Sequence, residues 1–548
     1  MAWPRRNVPF VLLGAALLAS AALLADLMHG LTFFQDTWEF LMNRHELSVD
    51  ALLKPHNEHI VLIPVALQLL GLKLFGMASA TPEYVLLVVA LLVTATLLFV
   101  YVRRRVGPWP ALMAAALLLF LGPAWWDILW PFELGFVGSL LFGIAMLLAL
   151  DRDDRKGDIA ACVFLVLAAG FSSLGISFMA AAAVNVFQRR RERGLGRIYL
   201  LAVPVVLFGA WYLGWGHDAE SHLTLRNVLS SPLFVLEGLA ASVESVLGLS
   251  RAPVEGVATV GWGQPLLVAL IGLVVYGQWR RPGFSPGFWV VAAATAANWF
   301  LAGFNYIPGR EPTTSRYMYA GGVFVLLLVA ELLRGVRIGR KPLLVAGVVT
   351  LAAVASNLVP LKDGSDWLKN QSVLTRSDLA AIEIAQRTID PNFSLSPEVA
   401  GTPSLIDVQA GKYLETERQF GSPAYSPTEL AGAPEVGRRQ ADLVLATALP
   451  LATETSAGQT HGGGGSCATA SGGGTAPGVR LSPGVTTIEV APGPHATFSL
   501  RRFAVAEYPV TTEGAPGDST TLLSIPRDGS ARPWYLQVEA SQRVRVCD

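Results

Sequence analysis

Cysteine is scarce in this chain, three in 548 residues, and none of the three falls in a Cys-x-x-Cys or Cys/His zinc spacing. That argues against a zinc ribbon or a dithiol redox motif. Charge is thin as well: only 15% of residues are Asp, Glu, Lys or Arg, and forty-one basic side chains cancel forty-one acidic ones. Within the first 360 residues the arginines gather in short clusters between apolar runs. This is a membrane pattern and not a nucleic-acid patch, so no nucleic-acid partner is expected. The glycine-rich GGGGS inside Gly458 to Gly478 is followed by no Gly-Lys-Ser/Thr, which excludes a phosphate-binding loop and leaves a flexible one. No nucleotide-sugar motif is evident.

What the chain does have is apolar surface. It is 52% hydrophobic with a positive mean hydropathy, so a soluble multidomain enzyme is the less favoured class. Arginine in excess of lysine, with abundant alanine, points to a GC-rich bacterial genome. Val8 to Ala25 carries no charge and is close to the roughly 20 residues that cross hydrocarbon. Arg5 and Arg6 precede it, which puts the amino terminus in the cytoplasm and Asp36 outside. A cleaved signal peptide, with Ala19, Ala21 and Ala22 near its end, is the alternative, though the apolar run is longer than such a core usually is.

Five basic clusters fix the remaining topology: Arg103 to Arg105, Arg152 to Lys156, Arg189 to Arg193, Arg280 with Arg281, and Arg334 to Lys341. Each belongs in the cytoplasm. To keep Arg103 inside, Ile60 to Met77, interrupted by Pro64 and Gly71, must lie at the outer surface, while Tyr84 to Val102 crosses. Trp109 to Trp126 and Leu134 to Leu150 form a hairpin with WWDILWPFEL at its outer turn. Ile159 to Phe187 has a basic cluster at each end and therefore breaks, at GFSSLG (Gly170 to Gly175), into two short helices. Crossings at 198–215, 262–279, 288–303, 317–333 and 343–360 follow, with 217–261 external and an amphipathic piece at Leu233 to Leu249. The total is about eleven crossings, an α-helical multi-pass membrane domain over 1–360.

An odd number leaves 361–548 outside the cell. This region is rich in Gly, Pro, Ser and Thr, with helices expected at Ser377 to Thr388 and Ser404 to Arg418 in a connector reaching about 445. From Arg480 onward VTTIEVAP, ATFSLRRFAV, TTLLSIP and PWYLQVEA alternate like short strands, so a mainly-β, sandwich-like domain is expected. Cys467 and Cys547, eighty residues apart in this exported region, are expected to form a disulfide, while Cys162 lies in an apolar run as a packing residue.

Four external segments carry the residues with chemistry: QDTWEF with Asp36 and Glu39, PHNEH (Pro55 to His59), Trp125 to Glu133, and GREPTTSRYMY (Gly309 to Tyr319). His56, Glu58 and His59 are of the types that ligate a divalent metal or meet a phosphate, although histidines on a short helix more often make interface hydrogen bonds. Trp125, Trp126 and Trp130 either stack on a sugar or form an aromatic belt at the membrane interface. For Asp36 the bland reading is a solvated loop acid or a helix cap, and for Arg316 an interface anchor near Tyr317 and Tyr319.

A first helix followed by an acid-bearing external loop, a surface helix ending in LKLFG, a span ending in a basic cluster and a later Arg-Tyr beside an external loop are similar to the GT-C superfamily of integral-membrane glycosyltransferases. That superfamily includes protein O-mannosyltransferases, lipid A aminoarabinose transferases and oligosaccharyltransferase catalytic subunits, and the resemblance covers roughly residues 8 to 360. Members commonly show Asp-Glu or Asp-Asp in the first loop; here Asp36 is followed by Thr37 and the second acid is Glu39.

The resemblance implies transfer of a sugar from a polyprenyl-phosphate carrier to a glycan, lipid or protein acceptor at the outer face of a bacterial cytoplasmic membrane. Asp36 would be the general base, with Glu39 the second acid of the catalytic loop. Arg310 and Arg316, with His56 and His59, would hold the donor phosphate, for which a guanidinium is suited by its bidentate geometry. Asp127, Trp130, Glu133 and Tyr317 would line the substrate site. Where a divalent metal is required, Glu58 and Asp127 are its candidates. Two rivals remain open: a transporter or flippase of lipid-linked sugars, which would keep ionisable groups near the midplane, and a non-catalytic assembly protein for envelope polysaccharide.

Overall fold

The computed structural model describes residues 3–250, 261–280, 283–395, 405 and 408–448, and beyond these 452–457, 467–470, 478–481, 484–490, 497–513, 519–525, 527–539 and 544–547. The chain divides into two compact units. The first comprises Met1–His29, Glu46–Gly71 and Thr81–Trp367, the second Gly30–His45, Leu72–Ala80 and Leu368–Asp548. A boundary at 360 is therefore corrected in two respects. The last candidate span continues unbroken from Arg340 to Ala385 through Pro360, and Gly30–His45, which holds Asp36, groups with the carboxy-terminal unit.

Within the first unit the architecture is helical. Seven helices of the described chain are long and apolar enough to cross a membrane: Asn7–Leu27, Thr81–Arg105, Pro131–Leu150, Leu225–Val246, Pro286–Phe304, Ser315–Leu332 and Arg340–Ala385. The pair Pro108–Leu119 and Gly122–Leu129, bent by 46°, makes an eighth when taken as one span. Eleven crossings were expected. Tyr199–Gly214 and Gly263–Trp279 are shorter apolar helices, whereas Leu225–Val246, which overlaps the amphipathic piece expected at Leu233 to Leu249, is long and apolar enough to cross. Serines and Glu237 and Glu244 break up its apolar residues, which is why its mean hydropathy, 1.2, is the lowest of the seven. Leu62–Phe75, the expected surface helix, has 14 residues; it rises only about 21 Å against about 30 Å of hydrocarbon. The long apolar run after Arg155 does break, into Arg155–Phe171 and Gly175–Arg193.

At one end of this unit four of the five basic clusters meet. Arg105 donates two 3.0 Å bonds to Asp151 and a further one to Glu331, which also accepts from Tyr101 at 2.7 Å and lies 3.4 Å from Arg334. Arg189 pairs with Asp153, and Arg197 pairs with buried Asp158 at 2.8 Å. Asp151 closes Pro131–Leu150 and Glu331 closes Ser315–Leu332, so the two helices share this end. Their other ends, about 24 Å away at 1.5 Å per residue, carry Glu133 and Arg316.

In the second unit, β1 (Ser394–Leu395) and β2 (Val408–Gln409) form a two-stranded ladder. Helix Ala410–Phe420 follows, in place of the helix expected from Ser404. Nine further strands are β3 (Ala452–Ala457), β4 (Cys467–Ala470), β5 (Val479–Leu481), β6 (Gly484–Val490), β7 (Thr497–Arg501), β8 (Val510–Glu513), β9 (Ser519–Ile525), β10 (Trp534–Glu539) and β11 (Val544–Cys547). They make two antiparallel sheets, in the orders β5-β10-β7-β8 and β3-β9-β6-β11-β4. Phe498 and Leu500 of β7 and Trp534 and Leu536 of β10 are buried in the alternation a half-buried sheet requires. Of the loop expected over Gly458 to Gly478, residues 458–466 and 471–477 lie outside the described ones, while Cys467–Ala470 is strand β4. In the ladder of β4 with β11, Cys467 and Cys547 are register partners.

A buried carboxylate joins this sheet region to helix Glu435–Ala448. Asp442 accepts the backbone N–H groups of Arg502, Phe503 and Ala504 at 2.8 to 3.1 Å. Truncating it orphans three buried donors, each costing about 1–3 kcal/mol. Asp442→Ala is accordingly expected to lower stability by about 3 kcal/mol or more, visible as early proteolytic cleavage in the region after 448 with residues 1–367 intact.

Candidate functional site

Three of the four segments expected outside the membrane converge in the first unit, and the PHNEH turn is their centre. His56 and His59 exchange both backbone hydrogen bonds, at 3.0 and 2.9 Å, closing a two-residue turn around Asn57 and Glu58. Asn57 sits at φ +49°, a region in which asparagine is among the tolerated residues. The break between Arg155–Phe171 and Gly175–Arg193 holds this turn: Ser173 donates its hydroxyl to the Glu58 carbonyl at 3.2 Å and accepts the Ile60 N–H at 3.3 Å. The non-helical backbone of the turn thus has hydrogen-bond partners inside the protein. Each imidazole packs edge-on against a ring of the PFELGF segment, His56 on Phe132 at 5.1 Å and His59 on Phe136 at 5.2 Å.

From this turn Glu58 reaches Arg310. One guanidinium nitrogen lies 2.8 and 3.0 Å from the two carboxylate oxygens, with 14% and 18% of the side chains exposed. Burial alone would raise the Glu58 carboxyl, but His59 and Arg310 hold it below the ordinary value. His59, 3.6 Å from Glu58, is pushed down to about 4 by burial, against the pull of Glu58 and with the repulsion of Arg316, His56 and Arg310. At neutral pH His59 is therefore uncharged, and Arg310 is the counter-charge of Glu58.

A neutral His59 links stability to acid. Because its folded value lies below its ordinary 6.5, its contribution is complete above pH 6.5 and is lost as pH falls from there toward about 4. With 24% of the side chain exposed, the expected loss is about 2–3 kcal/mol. Thermal denaturation in detergent between pH 7 and 4 measures it, and His59→Gln should flatten that slope.

The aromatic segment supplies two more acids. Asp127 and Glu133 are each 1% exposed, and Glu133 lies 3.9 Å from Arg316. Asp127 interacts electrostatically with both Glu133 and Arg316. The Trp126 N–H donates to the Ser315 hydroxyl at 3.1 Å, fixing this segment to the start of Ser315–Leu332. The bend before Asp127 depends on Gly122, where a Cβ would overlap the Asn357 carbonyl oxygen and come within 2.8 Å of Pro360 Cγ. Trp130 corrects an expectation: it is 2% exposed and stacks on Phe132 at 5.1 Å, so it packs the segment and offers no open face to a sugar. Tyr317 lies against Phe234 and Trp299, with ring centroids 6.1 and 6.0 Å away.

The metal expectation is not supported by these positions. Among the described residues no group of three or more His, Cys, Asp or Glu side chains converges as a metal-holding set. Glu58 is committed to Arg310, and the two histidines are held against aromatic edges.

The fourth segment belongs to the second unit. Asp36, half-buried, precedes helix Thr37–Asn43 at its N-cap position, but its carboxylate makes no capping bond. The helix-cap reading is thereby removed. Glu39 lies 3.2 Å from Arg44, whose guanidinium covers the Phe40 ring at 4.6 Å, so this acid has a local structural partner. Trp38 is fully buried, packed edge-on against Tyr413 at 6.3 Å.

Sequence reasoning missed Ser173 and Gly122. Their only signals were the Ser-Ser of a suspected helix break and a Gly-Pro between two apolar runs. Comparison of the chain with protein-family models, with curated proteins and with solved structures found no match.

Proposed function

We propose that this protein is a multi-pass glycosyltransferase of GT-C type, working at the outer face of a bacterial cytoplasmic membrane. In this reading its two carboxy-terminal sheets form a sandwich-like extracytoplasmic domain. It takes a sugar from a polyprenyl-phosphate donor and passes it to a glycan, lipid or protein acceptor. The observation that carries the reading is the buried polar cluster of Glu58, His59, Asp127, Glu133, Arg310 and Arg316, built from segments about 250 residues apart. Ionisable groups in a membrane domain are costly and are retained where they work.

In the proposed reaction the acceptor hydroxyl attacks the anomeric carbon. Its proton goes to the Asp36 carboxylate while the new C–O bond forms. The bond between the anomeric carbon and the phosphate oxygen breaks, and the electron pair leaves on the phosphate. That charge needs cations, the role the GT-C resemblance gives to Arg310 and Arg316, which here neutralise Glu58 and Glu133. The test is purified protein in nanodiscs given radiolabelled polyprenyl-phosphate sugars and native envelope extract. Transfer of label supports the reading; movement of donor across the bilayer without transfer supports a flippase instead.

The cross-strand register of Cys467 and Cys547 supports a disulfide between them, since directly opposed antiparallel positions have the backbone spacing that such a bridge requires. Intact-mass measurement of denatured protein, alkylated without and with prior reduction, should show two fewer alkylated thiols in the unreduced sample; equal labelling would remove the bridge.

A further inference from the structure

The four-stranded sheet of the second unit has two faces of opposite character. Alternation sends Leu481 of β5, Phe498 and Leu500 of β7 and Trp534 and Leu536 of β10 to one face, where all are buried. The residues between them point the other way: Arg480 is exposed, and Ser499, Arg501, Tyr535 and Gln537 are partly exposed. In the ladders Tyr535 is directly opposite Arg480 on one side and directly opposite Arg501 on the other. A tyrosine therefore stands between two arginines whose backbones are two strand spacings, about 10 Å, apart.

The next residue shows how a structural arginine is held in this unit. Arg502 turns inward, is 5% exposed, pairs with Asp528 and donates to the carbonyls of Ser530 and Arg532. Arg501 instead lays its guanidinium against two rings, 4.5 Å from the centre of Tyr508 and 5.8 Å from that of Tyr535. One of its nitrogens donates to the Val505 carbonyl. Among the described residues no carboxylate lies within ion-pair distance of Arg501 or of Arg480. Tyr508, just ahead of β8, reaches across the sheet, for a Cβ at Gly478 would overlap its hydroxyl and come within 3.4 Å of Tyr535 Cβ. The two rings and two guanidinium groups make one aromatic and cationic strip. Gln537, Ser499 and Thr511, in register one step along the same face, add an amide and two hydroxyls.

We propose that this face binds an acidic glycan, a chain of pyranose rings that carry carboxylates. The C–H face of a pyranose stacks on an aromatic ring, a planar carboxylate meets a guanidinium through two parallel hydrogen bonds, and amide and hydroxyl groups match the hydroxyls of a sugar. Two cations are few for the closely spaced phosphates of a nucleic acid. A membrane-surface site would add apolar side chains that insert among lipids, and the described outward residues of this face are polar or aromatic. That such a glycan is met outside the cell rests on the glycosyltransferase reading; the recognition chemistry does not.

The experiment is calorimetric titration of the full chain, in nanodiscs of phosphatidylcholine, with trimers of galacturonate and of mannuronate and with maltotriose as the neutral control. At least one uronate trimer should bind about tenfold or more tightly than maltotriose, with an affinity that falls as salt rises. Arg480→Gln and Arg501→Gln should each weaken that binding about tenfold, the worth of one charge-assisted hydrogen bond, and Tyr535→Leu should weaken it as well. Arg480 is exposed, so its replacement should leave the thermal midpoint unchanged and keeps the test independent of folding. No binding of either trimer, equal binding of maltotriose, or binding indifferent to both arginines overturns the proposal. So does loss of trimer binding when phosphatidylglycerol replaces part of the phosphatidylcholine, which would assign the strip to lipid headgroups. The two readings also fail separately. No turnover with arginine-dependent trimer binding intact removes the enzyme alone, and turnover without trimer binding removes the glycan face alone.

Discussion

Replacing Arg310 with methionine should cost about 3 kcal/mol of stability, the low end for breaking a buried ion pair, because 14% and 18% of the two side chains remain exposed. The loss comes less from the missing attraction than from Glu58, which keeps a charge it can no longer share. With His59 neutral, the guanidinium is the counter-charge of Glu58. The double change Arg310→Met with Glu58→Gln should recover most of the loss, since it removes both desolvated charges together. A thermal-denaturation double-mutant cycle in detergent reads the coupling directly. Additive single and double effects would mean that the pair stabilises nothing.

A larger effect is expected on turnover. General-base catalysis is worth about 10² to 10⁴ in rate, so Asp36→Asn should lower kcat for sugar transfer by that factor while leaving donor binding and the melting temperature close to wild type. Asparagine is isosteric and, because the Asp36 carboxylate makes no capping bond, its replacement breaks no helix start. Glu39→Gln should do less than Asp36→Asn, because Glu39 is held by Arg44 at 3.2 Å; its phenotype should follow stability and not kcat.

How much of this was legible beforehand varies with the physics involved. Basic clusters were readable as one group because arginines at helix ends obey a sidedness rule, and the contacts of Arg105 with Asp151 and Glu331, of Arg189 with Asp153 and of Arg334 with Glu331 bring four of them together. The break at Gly170 to Gly175 followed from the same rule, and the short strands from alternation. PHNEH, the aromatic segment and GREPTTSRYMY were each identifiable from residue type, but not their pairing, because Glu58 with Arg310 is a tertiary contact across 252 positions. Leu225–Val246, whose second half is the expected amphipathic piece, has the length and hydropathy of a span because its polar stripe faces protein: Ser231, Ser242, Glu244 and Ser245 are all buried. The crossing expected at 343–360 ends on a proline, which usually interrupts a helix, yet the helix passes through Pro360 and continues to Ala385.

The most direct test of the glycosyltransferase account is a transfer assay in nanodiscs, with wild type and Asp36→Asn compared under radiolabelled polyprenyl-phosphate sugar and envelope acceptor. The account predicts labelled acceptor from wild type and a loss of about a hundredfold or more from the variant, with equal thermal midpoints for the two proteins. Undiminished transfer by Asp36→Asn, or no transfer by wild type from any polyprenyl-phosphate sugar, would contradict it.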